Sequence, residues 1–193
     1  MTVQNIIVAG KSGAGKQPRI DVLVSTYGLR QLSTGNIFRE YLGAFAKVRE
    51  KAKTEGLFVD GVFASDEKIG EALEASCKEA GVAVTSAILG FKAAQYVDRG
   101  LFVPDDITNA LFAAAFRSAG GKGLALDGYP RTPEQSDYLT SLVKETGTKI
   151  DLVLIVDNDD EAIVARTIGR RICPSKTCGK VFQAVGVALP PTI

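Results

Sequence analysis

Asn5-Ile6-Ile7-Val8-Ala9-Gly10-Lys11-Ser12-Gly13-Ala14-Gly15-Lys16 decides the fold. Its first half is a short apolar run rich in β-branched residues, which reads as a strand buried on both faces. Its second half carries Gly10, four residues, Gly15 and Lys16, the spacing of a phosphate loop. Glycines let the backbone curl so that several N–H groups point inward at an anion, and the following helix N-terminus adds partial positive charge. Lys16 supplies a mobile cation for the β- and γ-phosphates. Such loops usually continue with Ser or Thr; this one continues Gln17-Pro18-Arg19. Pro18 suits a first helical turn, but no hydroxyl sits beside Lys16.

Outward from the loop, Ile20 to Tyr27 continues a helix that Gly28 ends. Residues 29–32 form a second strand, and Ser33-Thr34-Gly35-Asn36 opens another helix, with Thr34 a candidate cap. Strands follow over 123–127 and 150–156, and helices over 108–119, 133–146 and 160–170. Asp159, Asp160 and Glu161 place negative charge at the start of the last helix. Strands alternating with helices predict a parallel sheet covered on both faces, with ligands at the carboxyl ends of the strands. Gly10–Lys16, Ser33–Asn36 and Asp127–Arg131 all follow strands and converge on one crevice.

Composition narrows the chemistry. The 193 residues are 46% hydrophobic, enough for one domain with a sizeable core. Lys and Arg number 23 against 22 Asp and Glu, so a basic nucleic-acid grip is not expected. There is no His, which removes His bases, His triads and His metal ligands together. Three Cys do not make a disulfide scaffold. No run of eighteen apolar residues and no secretory leader pattern stand out, so the expectation is a cytoplasmic, monomeric protein that avoids membranes.

Four ordered motifs extend the loop: residues 32–39, Leu-Ser-Thr-Gly-Asn-Ile-Phe-Arg; 98–106, Asp-Arg-Gly-Leu-Phe-Val-Pro-Asp-Asp; 126–132, Leu-Asp-Gly-Tyr-Pro-Arg-Thr, with Gln135; and Arg166 with 169–174, Gly-Arg-Arg-Ile-Cys-Pro. With Gly10–Lys16 they resemble the adenylate kinases, a family of nucleoside monophosphate kinases. The resemblance implies a P-loop NTPase-type α/β fold: a parallel sheet flanked by helices, with a helical monophosphate-binding insert and a partial lid. It divides the chain into core (1–33), monophosphate-binding region (34–104), core (105–169) and partial lid (170–193). The implied reaction is Mg²⁺-dependent phosphoryl transfer from ATP to AMP, giving two ADP. A pyrimidine monophosphate kinase and a truncated, non-catalytic nucleotide-binding module are the alternatives.

The resemblance assigns roles. Lys16, Arg131, Arg166 and Arg170 clamp the transferred group. Gly10, Lys11, Ser12, Gly13, Ala14, Gly15 and Lys16, with Arg170, Val181 and Phe182, meet ATP. Thr34, Arg39, Leu101, Phe102, Val103, Gly128, Tyr129, Arg131 and Gln135 form the AMP site, where Gln135 reads adenine. Asp127 holds the Mg²⁺ water shell. Asn36 stands where the family usually carries Asp. The implied roles suit the residue types, because phosphoryl transfer is alignment and charge neutralisation, and Arg and Lys suffice for both.

Two departures stand out. The stretch between Arg39 and Asp127 is longer than in the family, with the surplus between Gly43 and Val84. Gly56-Leu57-Phe58-Val59 echoes Gly100-Leu101-Phe102-Val103, and Leu42-Gly43 echoes Leu89-Gly90. A weaker echo links Phe63, Asp66, Leu73 and Gly81 to Phe102, Asp105, Leu111 and Gly120. A partial tandem duplication is one reading; chance likeness of two Ala-rich amphipathic helices is the other. Second, the sequence ends after Pro190-Pro191, short of the family's remaining lid, fifth strand and closing helix. Cys173 and Cys178 resemble a lid zinc knuckle, but no further Cys or His follows to complete four ligands, so zinc is not expected. Cys77 is expected to pack as a small buried hydrophobe.

Overall fold

Ile6 and Val8, in the apolar run that opens the chain, are 5% and 1% exposed. That run is β1 (Asn5–Ala9), the middle of a sheet in the computed structural model, which describes residues 4–174 and 181–183. The chain continues through α1 (Lys16–Tyr27), β2 (Arg30–Ser33), α2 (Thr34–Ala46), the hairpin β3 (Phe58–Val59) and β4 (Val62–Phe63), α3 (Asp66–Ala80), α4 (Val84–Val97) and α5 (Asp105–Ser118). It closes with β5 (Leu124–Asp127), α6 (Pro133–Glu145), β6 (Leu152–Ile155), α7 (Asp160–Gly169), β7 (Arg170–Ile172) and β8 (Val181–Gln183).

The main sheet runs β2-β5-β1-β6, and every pairing in it is parallel. This is the expected α/β architecture, with helix boundaries shifted by a few residues. The largest shift is α5, which begins at Asp105 rather than residue 108: Asp105 and Asp106 fill its first turn, where negative charge is favoured. Gly28 ends α1 as expected; at φ 67° its N–H reaches the Leu23 and Val24 carbonyls. Asn5, fully buried, ties the sheet's lower edge by donating to the Gly121 and Lys149 carbonyls and accepting from Leu124 N–H.

The surplus segment has its own core. Ile69, Leu73 and Cys77 of α3 are all fully buried against Phe45, Ala87, Ile88 and Phe91. An aromatic seam continues it: Phe58 lies on Phe63 at 4.3 Å and near Tyr96 at 5.9 Å, with the Arg99 guanidinium 5.2 Å above Phe58. Ser65 caps α3 by accepting from Lys68 N–H, and Lys92 bridges to Asp66 at 2.5 Å. α2 and α4 approach most closely at Gly90, where an added Cβ would lie 2.8 Å from Phe45 Cβ and would collide with the Tyr41 carbonyl. No single helix among the described residues is long and apolar enough to cross a membrane.

Candidate functional site

The loop after β1 takes the shape its glycines allow. Gly10, Gly13 and Gly15 have φ of 140°, 86° and 96°, backbone that side chains rarely adopt. The loop is also tight against its neighbours: an added Cβ at Gly13 would meet Thr167 Oγ1 at 3.0 Å and Ile163 Cγ2 at 3.2 Å. Lys16, the first residue of α1, folds back so that its Nζ donates to the Gly10 and Lys11 carbonyls at 2.8 and 3.0 Å. Lys11 instead reaches across to α7, pairing with Asp160 at 2.5 Å. That hydrogen bond, and the Asp160 charge, hold the Lys11 ammonium above its usual range.

A second cluster forms where β2 and β5 end. Thr34 Oγ1 lies 3.1 and 3.0 Å from the Asp127 and Gly128 carbonyls, to which it donates. Arg131 Nε donates to the Gly128 carbonyl at 2.7 Å, and its Nη2 approaches Thr34 Oγ1 at 3.4 Å. Gly128 permits this convergence: at φ 76° it has no Cβ, and one added there would stand 2.6 Å from Thr34 Oγ1 and 2.8 Å from Arg131 Nη2. The expected capping role of Thr34 is therefore corrected. Ser33 occupies the cap position without a side-chain bond, and the Thr34 hydroxyl ties the start of α2 to the end of β5 instead.

The loop and this cluster share one edge of the sheet. β1 and β5 are in register with Val8 opposite Asp127. Gln17, next to Lys16, exchanges hydrogen bonds with Gln31 at 3.1 Å, and Gln31 donates to Asp127 Oδ2 at 3.1 Å. Arg166 of α7 closes on the loop from the other side, 3.3 Å from where a Gly15 Cβ would be. Lys11 of the loop pairs with a carboxylate, as do Arg49, Lys51, Lys92, Arg117 and Lys149 away from it. Among the described residues Lys16, Arg19, Arg39 and Arg131 have no such partner, nor do surface cations such as Lys47, Lys53 and Lys122. Unpaired cations gathered at strand ends beside inward-facing amides suit a polyanion.

Other expected site residues divide. Arg39 donates to Asn36 Oδ1, so the amide at position 36 holds it on the first turn of α2. Gln135 is 5% exposed and held from both ends: its Oε1 accepts from Arg131 N–H at 2.8 Å and its Nε2 donates one hydrogen to Asp105 Oδ1 at 2.6 Å. Thr132 Oγ1 donates to the same carboxylate at 2.7 Å and caps α6. Asp105 thus orders the Gln135 amide, a link that a spacing of 30 residues does not signal. For Tyr129 the side chain packs inward. Its ring is 1% exposed, stacked 3.8 Å from Phe112, and its hydroxyl donates to Asn109 at 2.6 Å. Burial pushes its phenol pKa up, and its side chain belongs to the core, leaving only backbone to face the crevice.

The two Gly-Leu-Phe-Val segments have opposite environments. Phe58 is packed in the aromatic seam, whereas Phe102 is 99% exposed and Leu101 56%. Val103 is half-buried. Arg170 is exposed at the start of β7, and Val181 and Phe182 lie on β8, opposite Ile172 and Arg171. Cys77 is buried as expected and Cys173 is a free, half-buried thiol; Cys178, Pro190 and Pro191 lie outside the described residues. No group of three or more His, Cys, Asp or Glu side chains among the described residues could hold a metal directly. A single carboxylate, Asp127, half-buried with Oδ2 held by Gln31, fits a cation that keeps most of its waters. A groove of about 320 Å³ between β2, α2 and α5, lined by Arg30, Asn36, Glu40 and Tyr41 among others, contains none of the expected site residues.

Comparison with known proteins gives a family model described as adenylate kinase, matching residues 79–184. The chain is 32% identical over 180 residues to the adenylate kinase of Symbiobacterium thermophilum, covering 93% of this chain and 63% of that protein. It is 31% identical to the one from Acholeplasma laidlawii (92% and 63%) and 33% identical to the one from Caldicellulosiruptor saccharolyticus (93% and 64%). The chain therefore spans less than two thirds of the length of these relatives.

Proposed function

The chain belongs to the adenylate kinase family, and on that premise we propose that it takes part in reversible phosphoryl transfer between ATP and AMP. An oxygen of the AMP phosphate attacks the γ-phosphorus of ATP, the bond from that phosphorus to the β-phosphate oxygen breaks, and two ADP result. The observation that carries the reading is the shared sheet edge: the Gly10–Lys16 loop and the Thr34–Gly128–Arg131 cluster flank Asp127, with Lys16 and Arg131 free of carboxylate partners.

The roles follow from position. Loop amides from Gly10 to Lys16 receive the ATP phosphates, and Lys16 leaves its two carbonyl contacts to follow them. Arg131 and Arg39 hold the AMP phosphate beside Thr34, with the backbone of Gly128 and Tyr129 as floor. Leu101 and Phe102, both exposed, and half-buried Val103 supply a wall for the AMP base, which Gln135 reads. Arg166 approaches the loop from α7 and Arg170 follows at its end, so both neutralise charge on the transferring group. Asp127 would hold Mg²⁺ through water, and the ion would offset phosphate charge. Val181 and Phe182 belong to the donor side. No side chain forms a bond to phosphorus, which is why the absence of His is no obstacle.

We further assign 34–104 to monophosphate binding, 170–193 to a partial lid and the remainder to the core, with the protein monomeric and cytoplasmic. Ile69, Leu73 and Cys77 of α3 and Ile107, Leu111 and Ala115 of α5 share the i, i+4, i+8 burial of any amphipathic helix, which suits duplication and chance likeness equally. The family match begins at residue 79, close to the start of the later copy. A coupled assay with ATP, AMP and Mg²⁺ tests the function. Turnover that disappears in Lys16→Ala supports it; tight ATP binding without turnover refutes catalysis by this chain.

A further inference from the structure

Four side chains form a closed line from α1 to the end of β5. Gln17 Nε2 donates to Asp21 Oδ1 at 2.8 Å and to Gln31 Oε1 at 3.1 Å; Gln31 Nε2 donates to Gln17 Oε1 and to Asp127 Oδ2, both at 3.1 Å. The direction of every bond is fixed. Carboxylate oxygens stand at both ends as acceptors, so each amide turns its nitrogen toward its own carboxylate and its oxygen toward the other amide. Both hydrogens of each amide nitrogen and both amide oxygens are used.

Gln17 occupies the position after Lys16 where phosphate loops usually carry a small hydroxyl residue. It is exposed on the first turn of α1, and nothing about its own location demands a long amide. Among the described residues, its reach beyond α1 is to Gln31. Gln31 in turn fastens Oδ2 of Asp127, and among the described residues no donor reaches Oδ1, which is left for another partner. The line therefore sets the rotation of the one carboxylate placed to meet a hydrated cation, and it starts beside the lysine that meets the phosphates.

We propose that Gln31 and Gln17 are positioning residues for Asp127: the reciprocal amide pair holds the carboxylate in the orientation that accepts from Mg²⁺-bound water on a nucleotide. This rests on the proposed nucleotide-binding function. Partners one step removed from a metal typically change its affinity by about 10- to 100-fold. Here the carboxylate itself acts through water, so the lower end applies.

The test is calorimetric titration with ADP, with and without Mg²⁺, on the full chain. For Gln31→Leu the gain in ADP affinity given by Mg²⁺ is expected to fall roughly 10-fold, with metal-free ADP affinity unchanged. For Gln17→Leu, a surface variant that keeps the test open should Gln31→Leu unfold, the gain falls by a smaller factor. In the metal-free protein the Gln31 side-chain amide resonances move in both Gln17→Leu and Asp127→Asn. A magnesium gain that survives both Leu variants overturns the proposal, as does an equal loss of affinity without metal, which marks a merely structural role. A wild type that binds ADP with no magnesium gain overturns the relay and leaves the nucleotide reading standing; a wild type that binds no ADP overturns both.

Discussion

Gly43 and Gly90 follow leucines in two stretches that look alike in sequence, yet replacing each with alanine should move stability in opposite directions. Both lie inside helices, α2 and α4, where alanine is favoured over glycine by about 0.8–1 kcal/mol. Nothing lies within 4 Å of a Cβ added at Gly43, so Gly43→Ala collects that gain in full. At Gly90 the added carbon stands 2.8 Å from both Phe45 Cβ and the Tyr41 carbonyl carbon. Carbon pairs prefer about 3.5–4.0 Å, so the two helices must part by something on the order of 1 Å. The obstacle is backbone, which no rotamer change relieves. Overpacking of this kind costs about 1–3 kcal/mol, and the upper end applies. Net of propensity, Gly90→Ala loses about 2 kcal/mol. At about 2–4 °C per kcal/mol for a chain of this size, its thermal midpoint by circular dichroism falls by about 4–8 °C, while that of Gly43→Ala rises by about 2–4 °C. Urea unfolding should give the same order. A Gly90→Ala protein as stable as wild type would mean the helices do not meet at that carbonyl.

Gly128→Ala should weaken AMP binding more than ATP binding, since the new methyl displaces Thr34 Oγ1 and Arg131 Nη2 from each other; equal losses for the two nucleotides refute this. Asp105→Leu removes the acceptor shared by Thr132 and Gln135, and should raise the KM for AMP in a coupled assay while leaving the KM for ATP in place. Asp151, whose carboxyl lies below its ordinary value of 3.8 through bonds from Lys149 and the Gln4 backbone, contributes stability above that pH and loses it as pH falls through its lowered folded value. The stability gap between wild type and Asp151→Asn should therefore be open at neutral pH and close under acid; a gap that widens on acidification contradicts the bond pattern.

Where signals were local, the sequence was a sufficient guide. β1, its loop and α1 follow from an apolar run, spaced glycines and a helix-compatible proline, and Gly28 marks the end of α1 because only a residue at home with positive φ closes that turn. The convergence of Gly10–Lys16, Thr34 and Asp127–Arg131 follows from strand order. What stayed hidden depends on long-range packing. Tyr129 sits inside a site motif, but its ring finds Phe112 and Asn109, contacts that no neighbouring residue announces. Thr34 has the chemistry of a cap and is drawn instead to carbonyls 93 and 94 residues away. The pairing of Gln17 with Gln31 and the anchoring of Gln135 by Asp105 have no sequence period at all. The packing of Phe58 and exposure of Phe102, in identical tetrapeptides, differ because only the first sits in a hairpin whose Phe63 covers it, with Tyr96 and Arg99 alongside.

The folded-back Lys16 has a consequence for how the crevice fills. Its ammonium rests on two carbonyls of its own loop, so any anion that takes it up must compete with those oxygens, and chloride or sulphate gains less from that exchange than a polyphosphate. Only a ligand with enough charge to draw the side chain out and fill the amide ring behind it gains the full interaction, so selectivity for nucleotides over small anions begins with a swing of one side chain.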